Sequence, residues 1–220
     1  MASSRANTLT AIQSETLKAF FARERGFFLT GGAALAGFHL GHRQTDDLDL
    51  FTTDEAAFER GRHVLVDVAR AIGGNVEIRQ DTPRFLRAVI ARGDDALVVD
   101  LVHDQPQGHP AKLEIDGIRV DSPQEILVNK LGTLLSRAEE RDLVDVLALE
   151  RSGLKVEDAL GPALAKDGGC TPATLAWLLS EIEIPDGLEL PGGISPAELR
   201  AFVADLIVRL RRAALPSSAQ

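Results

Sequence analysis

A single cysteine, Cys170, stands among the 220 residues, so no disulfide can form within the chain and stability must come from packing. In the context Gly169-Cys170-Thr171, with no histidine nearby, that thiol reads as a small buried or linker residue and not as a nucleophile. No apolar run is long enough to span a membrane and no signal-peptide pattern is visible, which leads to the expectation of a cytoplasmic protein with no membrane partner. An excess of basic charge is also missing. With 24 Lys and Arg against 33 Asp and Glu, a net charge of -9 and a pI near 5.1, the overall field excludes nonspecific nucleic-acid binding, and any polyanion site must be a local one. There is no internal repeat, and low complexity is confined to the terminal PSSAQ. The 45% hydrophobic and 26% charged content suffices for a substantial core, as one large domain or two small ones.

Periodicity orders the chain. Ile12, Leu17, Phe20 and Phe21 have helical spacing over residues 11–25, and Gly26 separates them from an apolar strand at 27–30. A short helix over 33–40 ends at Gly41, and 47–51 alternates as a strand. A helix over 54–72 stops at Gly73-Gly74, and strands follow at 76–79, 85–91 and 96–103. Asp116-Gly117 at the centre of 113–120 predicts a type I' hairpin that finishes a mixed or antiparallel sheet. From Ser122-Pro123-Gln124-Glu125, a capping-box signal, the composition turns helical, over 123–136, 139–151, 155–166 and 172–182. A loop over 185–193 precedes a last helix opened by Ser195-Pro196-Ala197-Glu198, whose stripe of Leu199, Phe202, Val203, Leu206, Ile207 and Leu210 is expected to pack on its own domain. The expected organisation is α+β, a domain over 1–121 followed by a helical domain over 122–220.

Candidate chemistry concentrates between residues 27 and 52. Gly31-Gly32, placed between a strand and a helix, can bring backbone N–H groups close to a phosphate chain. Asp47 and Asp49, two apart on a strand, project from one face and can hold Mg2+, or Mn2+, against that phosphate. Asp100 interrupts the apolar run Leu97-Val98-Val99-Asp100-Leu101, where a carboxylate needs a partner; beside Asp47 and Asp49 it would complete a metal site or serve as base. Asp46 points opposite to Asp47. Read blandly, the three are a strand-entry residue, a solvent-facing one and an ion-pair partner. Arg43 can contact phosphate or pin the acidic strand by an ion pair. His39, His42 and His103 read as core-edge or loop residues, because Mg2+ prefers oxygen. The segment DLDLF also resembles the aspartyl-phosphate motif of haloacid-dehalogenase-like phosphatases, but GHRQT precedes it where that chemistry wants an apolar strand.

On a continuous helix over 123–151, Lys130, Arg137 and Arg141 would share one stripe with Asp145 beside it, a face for a triphosphate or for Glu139 and Glu140. A break near residue 138 would undo that alignment.

Taken in order, Gly31-Gly32-Ala33-Ala34-Leu35, then Arg43-Gln44-Thr45-Asp46-Asp47-Leu48-Asp49-Leu50-Phe51, then Lys130, Arg137 and Arg141-Asp142-Leu143-Val144-Asp145 resemble the AbiEii-type nucleotidyltransferases, toxins of abortive-infection, type IV toxin-antitoxin systems. The resemblance covers about residues 27–147, and its specificity lies in the ordered co-occurrence of the pieces. It implies a DNA-polymerase-beta-like fold, a mixed sheet flanked by helices, followed by a helical region. It also implies an NTP substrate, a divalent metal on Asp47 and Asp49, phosphate binding by Gly31 and Gly32, and a nucleotide-binding set that takes in Arg43, Thr45, Lys130, Arg137 and Arg141. Lys130 and Asp145 match the family's later motif. An RNA such as tRNA, or a protein, is the implied acceptor, and a cognate antitoxin the implied partner. Ala33 departs from the pattern where a hydroxyl residue is frequent. A catalytically silent nucleotide-binding or protein-interaction module, and an antibiotic nucleotidyltransferase, are the competing readings.

Overall fold

The computed structural model describes residues 8–105, 111–137 and 139–215, and the PSSAQ tail lies outside them. The chain divides into two compact units, Met1–Ser122 and Pro123–Gln220.

In the first unit, a capping box between Thr10 and Gln13 opens α1 (Ala11–Phe21). The helix stops four residues short of the span its periodicity suggests. Glu24 turns inward, accepts the Gly26 N–H at 2.7 Å and Arg60 Nε at 2.7 Å, and these bonds secure the turn out of the helix. Next come β1 (Phe28–Thr30) and α2 (Gly31–Ala34), which widens over Leu35–Leu40 into a π-helical stretch closed by the left-handed Gly41. The Gly41 N–H reaches back to Ala36 O, five residues earlier, so the wider pitch satisfies the last carbonyls. β2 (Asp47–Thr52) leads to α3 (Glu55–Ala71), capped by Asp54 and ended where the Gly74 N–H bonds Ala69 O beyond Gly73 at φ +77°. β3 (Asn75–Thr82), β4 (Phe85–Arg92) and β5 (Asp95–His103) form a meander, and β6 (Leu113–Ile115) and β7 (Ile118–Val120) a hairpin. Asp116 at φ 52° and Gly117 at φ 78° give that hairpin the two left-handed residues a type I' turn requires.

The seven strands lie in the order β3-β4-β5-β2-β1-β7-β6, with β2 parallel to β5 and β1 parallel to β7. This is the α+β mixed sheet expected. One sheet face carries Leu48, Leu50, Leu86, Ala88, Ile90, Leu97, Val99 and Leu101, all buried. α1 and α3 pack against the sheet and against each other, with Phe20, Phe27 and Phe58 fully buried. Phe20 meets Phe27 edge-to-face at 5.2 Å. Gly61 is required in α3 because a Cβ there would stand 2.6 Å from the Phe27 ring.

The second unit is helical: α4 (Pro123–Arg137), α5 (Glu140–Arg151), α6 (Val156–Lys166), α7 (Pro172–Ser180) and α8 (Pro196–Ala213). Ser195 caps α8 by accepting the Glu198 N–H, and Leu199, Val203, Leu206 and Leu210 are its buried stripe. α4 and α5 are separate helices because Glu139 is extended, at φ -74° and ψ 149°. That break overturns the single stripe of Lys130, Arg137 and Arg141. Among the described residues no helix is long and apolar enough to cross a membrane.

Candidate active site on the acidic face of the sheet

Strand alternation decides which side chains leave the core. In β2, Leu48, Leu50 and Thr52 are buried while Asp47, Asp49 and Phe51 take the opposite face, half-buried. Register then carries that face across four strands. Thr30 pairs with Asp49, Asp49 with Asp100, and Asp100 with Arg87, so these four side chains form one row across β1, β2, β5 and β4. The next row is apolar: Phe28, Phe51, Val102 and Phe85 in the same strand order. Asp47, two residues before Asp49, lies on the same side of the sheet. The structure therefore brings Asp47, Asp49 and Asp100 to one face; Asp46 is exposed just before the strand.

The diglycine serves this face sterically. Gly31 adopts φ +65°, and a Cβ on it would fall on the Asp49 carboxylate, 3.0 Å from its Cγ. A Cβ on Gly32 would stand 2.6 Å from Arg43 Nη2 and 3.2 Å from Thr45 Oγ1. The two glycines thus let an acid approach one residue and a base the other. Arg43 is buried at 9% exposure and donates to Gln44 O at 2.8 Å. Thr45 donates its hydroxyl to Asp47 Oδ1 at 2.8 Å. Gln13, fully buried in α1, donates to Thr45 O at 2.7 Å and so ties the first helix to the loop that aims Asp47.

Asp100 is held differently. Arg87 forks onto it, Nε to Oδ1 at 2.8 Å and Nη2 to Oδ2 at 2.6 Å, which explains how a carboxylate 6% exposed is tolerated in an apolar strand. The Arg87 pKa is raised, chiefly by this hydrogen bond to Asp100 and against the effect of burial, with the charges of Asp100, Asp49 and Asp47 adding to it.

A hard divalent cation suits the oxygen donors of Asp47 and Asp49, since Mg2+ is commonly held by one or two carboxylates and completed by substrate phosphate and water. The buried Thr30 Oγ1 next to Asp49 has no hydrogen-bond partner, an orphan that a cation's water shell would satisfy. Each Asp100 oxygen accepts one hydrogen bond from Arg87, so the negative charge a cation would meet there is already partly offset. Among the described residues no three His, Cys, Asp or Glu side chains already converge at ligating distance.

The other candidates lie in the helical unit. Lys130 Nζ binds Asp142 Oδ1 at 2.7 Å and Asp145 Oδ2 at 2.5 Å, and both aspartates are fully buried. Arg137 Nε stands 3.4 Å from Asp142 Oδ2, and Arg141 pairs with Glu139 at 2.6 Å. The expected nearness of Asp145 to Lys130 is present, but as contact between two packed helices and not as one helix face. His39 bonds the Asp121 carbonyl at 2.7 Å, a core-edge role.

Arg87, Thr30 and Gln13 were not singled out from the sequence. The alternation of Phe85-Leu86-Arg87-Ala88 shows that Arg87 leaves the core, but only the β4–β5 register puts it opposite Asp100.

A family model described as nucleotidyl transferase AbiEii toxin, type IV TA system, matches residues 16–215. Among solved structures, a Helicobacter pylori protein provisionally described as a nucleotidyltransferase aligns with a TM-score of 0.58 at 17% identity over 97% of each chain. JHP933 from Helicobacter pylori aligns with a TM-score of 0.56 at 17% identity, over 97% of this chain and 95% of its own. MenT4, a nucleotidyltransferase toxin from Mycobacterium tuberculosis, aligns with a TM-score of 0.54 at 16% identity, over 92% of this chain and 85% of its own. At such identities these likenesses carry the fold alone. No curated protein sequence matches the chain significantly.

Proposed function

The chain belongs to the AbiEii nucleotidyl transferase toxin family of type IV toxin-antitoxin systems and is a nucleotidyltransferase; from that premise we propose that it uses Mg2+ or Mn2+ to move a nucleoside monophosphate from an NTP to an acceptor hydroxyl on RNA, such as a tRNA end, or on a protein. The reaction joins the acceptor oxygen to the α-phosphorus, breaks the α-phosphorus bond to pyrophosphate, and passes the acceptor proton to a base. Such a toxin would meet its NTP in the cytoplasm and be restrained by a cognate antitoxin.

The observation that carries this reading is the single polar row Thr30, Asp49, Asp100 and Arg87, with Asp47 on the same side, facing the diglycine. Asp47 and Asp49 would hold the cation, which supplies charge stabilisation to the phosphates when bound. Gly31, with Asp49 packed on it, and Gly32, with Arg43 and Thr45 packed on it, would orient the acidic strand. Thr45 keeps Asp47 in one rotamer through the 2.8 Å bond, so the carboxylate is pre-aimed. Lys130 bridges the buried Asp142 and Asp145, and we assign these three to fixing α4 against α5.

Incubating the protein with total RNA and total protein and each radiolabelled NTP tests the proposal. Label should enter one macromolecular class, from one or few NTPs, and only with a divalent ion present. Absence of label from every acceptor and every NTP would overturn it.

A further inference from the structure

Arg87 is the residue on this face that the reaction as described does not use. It is anchored and accessible at once: its side chain is 49% exposed, that of Asp100 8%, and its guanidinium lies 5.6 Å from the Phe85 ring in the adjoining apolar row. Two of its five N–H donors are spent on the two oxygens of Asp100. It stays charged under all working conditions, so it places a permanent cation in the same row as Asp49, the residue whose partner across the strand is Asp100.

A guanidinium and a divalent ion compete for the same carboxylates. While Arg87 forks onto Asp100, one lone pair on each oxygen is engaged and the carboxylate's charge is offset, which makes it a poorer ligand, and the positive charge repels an ion settling between Asp47 and Asp49. We infer that Arg87 is a resident counter-cation that keeps Asp100 out of the metal site and thereby sets how tightly the Asp47/Asp49 pair binds a divalent metal. The inference rests on the reading of Asp47 and Asp49 as cation ligands. It gives the chain a metal site of two carboxylates that depends on the NTP phosphates for completion, so metal and nucleotide are taken up together and the ion is held weakly without nucleotide.

The test is Mn2+ binding to the full chain without nucleotide, read as free Mn2+ by electron paramagnetic resonance at fixed ionic strength. Arg87→Gln should tighten binding on the order of tenfold. Arg87→Lys, which keeps the charge, should stay within about twofold of the native protein. Asp49→Asn should lose binding. Melting curves supply a second reading: Mn2+ should raise the midpoint of Arg87→Gln more than that of the native protein, because the ion replaces the lost partner of Asp100. If the native chain binds Mn2+, Asp49→Asn does not, and Arg87→Gln binds equally or more weakly, the role of Arg87 is wrong while the metal site stands. If neither the native chain nor any variant binds Mn2+ without nucleotide but the native chain binds it with a non-hydrolysable NTP, the inference fails and the metal site stands; if the native chain binds it in neither condition, the metal reading fails too.

Discussion

Two groups of aspartates in this chain look alike in sequence and differ in what surrounds them. Asp47 and Asp49 sit half-buried on the polar row's face of the sheet, whereas Asp142 and Asp145 are fully buried with the amine of Lys130 between them. The first pair is partly exposed, whereas the second is closed around the amine of Lys130. Burying a charge is tolerable only with a partner in place, and breaking such a pair costs about 3–5 kcal/mol. Access, more than residue type, separates a carboxylate that can do chemistry from one that holds helices together. Asp100 stands between the two cases, buried like the second group and on the face of the first, with Arg87 as its partner.

The sharpest way to separate the groups is to remove one charge from each. Asp49→Asn should lower nucleotide transfer by at least about a thousandfold while the melting temperature stays within a few degrees of native. Lys130→Ala should do the reverse in kind. It removes the amine that two buried carboxylates share and should cost about 3–5 kcal/mol in denaturant unfolding, with any surviving folded enzyme still active. Loss of activity in Lys130→Ala at native stability would break the comparison and move Lys130 into the chemistry.

Smaller effects probe how each region is held. Gly31→Ala puts a side chain at φ +65° and onto the Asp49 carboxylate, and should cost about 1–3 kcal/mol along with most of the transfer activity. Glu24 reports on the turn after α1. Burial acts to raise its pKa, but the bonds from Arg60 and the Gly26 N–H prevail, and the folded value lies below the ordinary 4.5. A lowered folded pKa gives stability that is present above the unfolded value and disappears as pH falls through the folded one. Acid unfolding followed by circular dichroism should therefore lose that component in Glu24→Gln, which should also cost about 1 kcal/mol at neutral pH. Cys170 should show the least response: burial, with Asp167 adding, pushes its thiol up to about 11, so a thiol reagent at pH 8 should leave it unmodified until the protein unfolds.

How far these regions could be read from the sequence differs for physical reasons. Alternation in 47–51 and the lone acid of an apolar strand were enough to draw attention to Asp47, Asp49 and Asp100, because a period of two fixes the face. Asp116-Gly117 announced its own turn, since only residues that tolerate positive φ can make it. Register is not a local property, so Arg87 opposite Asp100 could not be seen before the β4–β5 pairing was known. The break near residue 138 was legible in the separate helical spans 123–136 and 139–151, but the contact of Lys130 with Asp142 and Asp145 across it was not. Glu139, Glu140 and Arg141 all favour a helix by propensity, so the extended Glu139 has no local signal in those residues. Likewise α1 ends early through Glu24, whose partner Arg60 is 36 residues away.

The most direct test of the central claim is an anomalous difference map from crystals of the native chain soaked with Mn2+ and a non-hydrolysable NTP. A peak shared by the carboxylates of Asp47 and Asp49, with the phosphates against the diglycine, is the expected result. A peak at Asp142 and Asp145, or none on the sheet face with nucleotide bound, would contradict it.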